Sequence, residues 1–147
     1  MYGIQLRQWK WLKGSTSFDS VGVYGTRGNY DSSNTPSARV DYGFAYNSAN
    51  ELIYLFGGFG ISKTGFLPDV HIMEGQLGTL GDLWVYNPRI NQWKWVQGSG
   101  QINLVPTYDI KGQPSAANSP GARAHSTMPM DIDNQLWYLF GGFNSIL

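Results

Sequence analysis

The chain repeats itself at an offset of 84 residues. Gln8–Trp11 reads QWKW and returns as Gln92–Trp95, so that Trp9 maps to Trp93 and Trp11 to Trp95. The same offset carries Gly14-Ser15 to Gly98-Ser99, Tyr24 to Tyr108 and Gly28 to Gly112. It takes Pro36, Ala38 and Arg39 to Pro120, Ala122 and Arg123, and Tyr54–Phe59 (YLFGGF) to Tyr138–Phe143, without a gap. A repeat of this kind constrains the fold more than local propensity does, because each copy is one supersecondary unit that buries its apolar face against its neighbours.

Each copy reads as β. Ile53–Phe56 and Leu83–Tyr86 are short aromatic and β-branched runs, and Gln92–Val96 alternates large apolar with polar residues at period two. Asn47–Asn50 and Asn87–Asn91 are turn signals between them. Gly 19 and Pro 7 interrupt every candidate helical window. Four strands per repeat are expected, at about Arg39–Tyr46, Leu52–Phe56, Leu83–Tyr86 and Gln92–Val96.

Four features occur in a fixed order: Pro-x-x-Arg before the first strand, Leu-Phe-Gly-Gly at the end of the second, Asp82–Pro88 (DLWVYNP) on the third and Trp-x-Trp on the fourth. Together they resemble the kelch repeat, over nearly the whole chain. The resemblance implies an all-β fold of four-stranded antiparallel blades ringing a central channel. The unit is longer than the usual kelch length of about 50 residues. The excess falls in Gly14–Thr35 and Gly60–Gly81, as in the long-loop subtype with Gly-Ser after Trp-x-Trp. The expected organisation is a last strand plus long loop over 1–35, a complete blade over 36–97, and a long loop plus two strands over 98–147. One blade and two partial blades cannot close a ring of four to eight. The expectation is a fragment of a longer product whose partners include further kelch repeats, in the same or another chain.

Composition excludes several function classes. Lys+Arg 10 against Asp+Glu 10 gives no net charge, without the basic excess of a nucleic-acid binder. Cys is 0, so a disulfide framework, a thiolate metal site and a cysteine nucleophile are absent. Some kelch proteins are oxidases that use a Tyr–Cys crosslink, and these residues cannot form one. No apolar run approaches the ~20 residues that span a bilayer, and the N-terminus has no signal-type apolar stretch.

In an antiparallel four-stranded unit the chain reverses at each turn, so the two short turns share one face and the two long loops share the other. Long loops held by a rigid scaffold are where binding residues gather. The long-loop face is therefore the expected recognition surface, with Tyr24, Arg27 and Tyr30 from one loop, Phe66, Asp69 and His71 from the next, and Tyr108 and Lys111 from the repeat of the first. Tyr and Arg are enriched at binding hot spots. The competing assignment packs these aromatics onto the rim of the sheet.

The motif residues themselves are expected to be structural. Trp9, Trp11, Trp84, Trp93 and Trp95 suit packing within or between units, and Gly57-Gly58 and Gly141-Gly142 suit a backbone need that excludes a Cβ. Arg39 and Arg123 are expected, by resemblance, to pack between strands or blades, and Asp82 to accept from nearby backbone amides. With only His71 and His125, a catalytic triad has little to stand on. Asp69, His71, Glu74 and Asp82 are too irregularly spaced for a metal site, and no cofactor motif is present. The expected function is a non-enzymatic scaffold that binds a protein partner, with a carbohydrate- or cell-surface-recognition module as the alternative.

Overall fold

The computed structural model describes residues 2–3, 7–63 and 76–145. The described residues are all-β, and every strand pairing is antiparallel. The strands are β1 (Tyr2–Gly3), β2 (Gln8–Trp9), β3 (Tyr30–Asp31), β4 (Arg39–Val40), β5 (Gly43–Asn47) and β6 (Leu52–Ile61). They continue as β7 (Leu77–Asn87), β8 (Gln92–Gln97), β9 (Ala124–Thr127), β10 (Met130–Asp131), β11 (Leu136–Trp137) and β12 (Phe140–Phe143).

The main sheet is a meander. β4 and β5 lie on β6, β6 on β7 and β7 on β8, and β3 from the first long loop covers the outer edge of β8. Period-two alternation sorts the side chains. Leu55 stands opposite Trp84, and Trp84 opposite Trp95, on one face. Tyr24 closes that face over Leu55 and Trp84, with Trp93 and Trp95 packed alongside. The other face buries Ala45 and Phe56 against Met128, with Tyr54, Leu83, Trp137 and Leu139 around them. Both faces are thus covered, one by the first long loop and the other by the second repeat.

The structure departs from the sequence expectation at the Gly57-Gly58 pair. The glycines do not end the strand. They form a bulge, with φ of +62° and +101°, through which β6 runs on to Ile61. Contacts force glycine here: a Cβ on Gly57 would lie 2.5 Å from the Arg123 carbonyl oxygen, and one on Gly58 would lie 2.6 Å from that of Val40. The opened backbone lets the Gly58 amide bond the Arg123 carbonyl at 2.9 Å, tying the two repeats together. β7 correspondingly starts at Leu77, so Gly60-Ile61 and Leu77–Gly81, expected within the long loop, are strand.

The long loops are built alike. Val23 and Thr35 exchange backbone hydrogen bonds at 2.8 and 3.0 Å, and their counterparts Thr107 and Ser119 do the same at 2.9 and 2.8 Å. Buried Asn34 donates its amide to the Asn29 and Trp93 carbonyls, while Asn118 donates to the carbonyl of Gln113, the counterpart of Asn29. Each loop is therefore a fixed hairpin held by its own asparagine.

The second copy of the sheet is weaker. β6 is one strand of 10 residues, but its counterpart is broken into β11 and β12. The difference follows from pairing. β6 has a strand on each side, whereas β12 pairs only with β9 and β11 only with β10 among the described residues.

Candidate functional site

The most strongly organised polar group is buried beneath the first long loop. Asp82, in β7, has no solvent exposure. It receives the Arg39 guanidinium in a two-pronged bond, Nη1 to Oδ1 at 2.5 Å and Nη2 to Oδ2 at 2.9 Å. The Tyr24 hydroxyl donates to Oδ2 at 2.6 Å and the Trp84 indole nitrogen to the same oxygen at 2.7 Å. Arg39 also donates Nε to the Ser37 carbonyl at 3.1 Å and Nη1 to the Gly57 carbonyl at 3.0 Å. Buried charge is tolerated only when paired and hydrogen-bonded, and here both conditions hold.

Electrostatics follow the same logic. Burial, and after it the Asp82 charge, pushes the Tyr24 hydroxyl far above the ordinary phenol range. Burial works against the Arg39 charge, but the attraction of Asp82 and its hydrogen bonds outweigh it and raise the guanidinium further. Every member is shut from solvent and spent on the others. This is a structural clasp joining the first long loop to β4, β6 and β7. The carboxylate accepts from side chains up to 58 residues away rather than from nearby backbone amides.

Tyr24 is therefore not part of an exposed recognition surface: it is 2% exposed and belongs to the core. Its counterpart Tyr108 is 69% exposed. Arg27 lies on the surface, its guanidinium 4.7 Å above the Trp95 ring and Nη2 donating to the Gly98 carbonyl at 2.9 Å. Tyr30 is half-buried, with the Lys94 ammonium 4.7 Å from its ring centre. Lys111 and Tyr108 lie together on the second long loop, around a cavity of about 460 Å³. Phe66, Asp69 and His71, with Glu74, lie outside the described residues.

Trp93 and Trp95 pack on the core, whereas Trp9 and Trp11 are 83% and 66% exposed. The reason is local. β8 is backed by β7 and capped by the first long loop, whereas β2 pairs only with β1 among the described residues.

One cavity brings the two long loops together. It measures about 370 Å³ and is largely apolar, with Phe56, Leu83, Met128, Trp137 and Leu139 beneath it. Arg27 and Gln97–Ser99 form one lip, and Ala116–Pro120 of the second loop form the other. Arg27 is held by its stack and hydrogen bond rather than left to roam, so a cation stands fixed at the mouth of an apolar recess. The apolar lining was not among the expected site residues. Its signal in the sequence is the two-residue spacing of Met128 with Met130 and of Trp137 with Leu139, which puts each pair on one side of an extended segment.

The second copy of the buried clasp is only part-built. Arg123 Nη1 donates to the Gly141 carbonyl at 3.0 Å, as Arg39 does to Gly57, but Nη2 turns back to the Pro120 carbonyl and the Tyr108 hydroxyl. Its Nε is buried without a hydrogen bond among the described residues. Position 121 is glycine where Ser37 serves Arg39.

Among the described residues no three His, Asp or Glu side chains are placed to hold a metal ion, and no helix is long and apolar enough to cross a membrane. No protein-family model matches the chain, and no curated protein matches it.

Proposed function

We propose that the chain is part of a kelch-type β-propeller that acts as a non-enzymatic protein-binding scaffold, with the partner held on the long-loop face. The observation that carries this reading is the apolar cavity between the two long loops, with Arg27 fixed at its lip. An apolar recess beside an anchored arginine is the usual make-up of a protein-binding hot spot. The loops are hydrogen-bonded hairpins, so little ordering entropy is lost when a partner docks. The ionisable groups with the most unusual surroundings, Arg39, Asp82 and Tyr24, are sealed in the core and consume one another, which favours binding over catalysis as the role of this surface.

The test is affinity capture from an extract of the native source, comparing the chain with Arg27→Ala and Lys111→Ala variants of unchanged melting temperature. A specific partner should bind the Arg27→Ala variant about tenfold or more weakly, as expected for a truncated hot spot. An unchanged set of partners and affinities would refute the assignment. Carbohydrate recognition is the second reading, favoured by exposed Tyr108 beside Asp109, Gln113 and Asn118 around the second cavity. Reproducible hits on a glycan array, lost in Tyr108→Ala, would select it over protein binding.

A further inference from the structure

β8 carries a sequence that is hazardous at the edge of a sheet. Gln92–Gln97 reads QWKWVQ, with two tryptophans and a valine, a single charge at Lys94, and neither proline nor glycine. High β-propensity with low charge is the make-up of a segment that pairs with copies of itself when its edge is open. One edge of β8 is taken by β7. The other lies under the first long loop, which contributes β3.

We propose that the first long loop is a guard strap over the β8 edge, and that releasing it lets β8 pair with β8 of a second copy of this chain. A strand of 2 residues cannot cover an edge of 6, and the loop completes the cover with single groups placed along it. On one side of β3 the Gly28 amide donates to the Trp95 carbonyl at 2.8 Å. On the other side the Asn34 side chain does what a strand amide would do, donating to the Trp93 carbonyl at 3.1 Å. Asn34 is fully buried, and its Nδ2 also donates to the Asn29 carbonyl at 3.1 Å, so the loop's own backbone holds the capping group in place.

Side chains clamp the strap along the same line. Arg27 lies 4.7 Å over the Trp95 ring, and the Lys94 ammonium lies 4.7 Å from the ring centre of Tyr30. Tyr24 pegs the near end of the strap in the core through its bond to Asp82. The strap therefore covers the backbone of β8 and engages Lys94, the one charge that the segment has to oppose self-pairing.

The test compares the whole chain with a Tyr30→Pro/Asn34→Ala double variant, which places a proline where β3 pairs and removes the side chain that caps Trp93. Light scattering after size exclusion should show the double variant forming larger assemblies than the unaltered chain as concentration rises. Residue-resolved hydrogen exchange should find Gln92–Gln97 exchanging about tenfold or more slowly in the assemblies than in the dilute variant, and it separates them from the like-sequenced Gln8–Trp11. Adding Val96→Lys, a second charge on the Lys94 side of β8, should return the variant to the mass of the unaltered chain. A cooperative urea transition is the check on folding; if the double variant lacks one, Asn34→Ala alone takes its place with the same readouts. A released variant no more associated than the unaltered chain would overturn the proposal. Association that survives Val96→Lys, or new protection confined to other strands, would overturn it as well.

Discussion

Replacing Asp82 with Asn tests the clasp most severely. Asparagine preserves size and shape but removes the negative charge that faces a buried guanidinium. It also offers an NH2 group where four donors now converge: two from Arg39 and one each from Tyr24 and Trp84. Breaking a buried ion pair from one side costs about 3–5 kcal/mol, because the other charge stays in the interior uncompensated. Against a typical domain stability of roughly 5–15 kcal/mol, that is a large share. Equilibrium urea unfolding followed by tryptophan fluorescence measures it, since Trp84 touches the carboxylate. A cycle with Arg39→Met isolates the pair. The double variant should be less destabilised than the sum of the singles, with a coupling of ~1–3 kcal/mol. A cost below about 1 kcal/mol for Asp82→Asn, with additive singles, would refute the reasoning, because it would mean the charges are not buried together.

The repeat supplies internal controls for three further predictions. Tyr24→Phe removes a hydrogen bond to a buried charge and should cost about 1.5–3 kcal/mol, whereas Tyr108→Phe at the exposed counterpart should fall within ~0.5 kcal/mol; parallel urea titrations compare them. Gly141→Ala meets nothing within 4 Å and should cost only the left-handed backbone strain, about 1–2 kcal/mol. Gly57→Ala adds a clash with the carbonyls of Arg123 and Leu80 and should cost about 1–3 kcal/mol more, read in the same unfolding assay. Tyr24 holds its proton more tightly folded than unfolded, so its contribution is complete below the unfolded phenol value of about 10 and is lost as pH rises above it. Absorbance at 295 nm should show one tyrosine that ionises only as the protein unfolds, and Tyr24→Phe should remove that component.

The meander was legible because its strands are short alternating runs bounded by turn residues, and because the offset of 84 residues aligns two copies of nearly every element. What escaped the sequence did so for physical reasons. A Gly-Gly pair reads as a turn or as a close approach that leaves no room for a Cβ, and the Arg123 and Val40 carbonyls make that close approach. That the pair is a bulge inside a continuous strand, rather than the strand's end, shows only in the pairing of β6 with β7. Asp82 finds its partners 43 and 58 residues away, and with one copy in the chain the repeat could not flag it. Tyr24 and Tyr108 are the same letter in the same phase, yet one is core and the other surface, because among the described residues Tyr24 lies on β7 and no corresponding strand lies beneath Tyr108. The two QWKW segments divide in the same way. Identical local sequence takes its burial from the neighbours it meets, and those are tertiary facts. At the site, Arg27 could be named from its residue type and loop, but the apolar recess beside it arises from two repeats packing together.

Placing a photoreactive residue at position 116 and, separately, at position 48 tests the central claim most directly. Ala116 lines the cavity between the long loops, and Ser48 sits on the short turn at the opposite face. Irradiated with an extract of the native source, the chain should give a discrete partner crosslink from position 116 and none from position 48, with the yield falling when Arg27→Ala is added. Crosslinks of equal yield from both positions, or from position 48 alone, would contradict a recognition surface on the long-loop face.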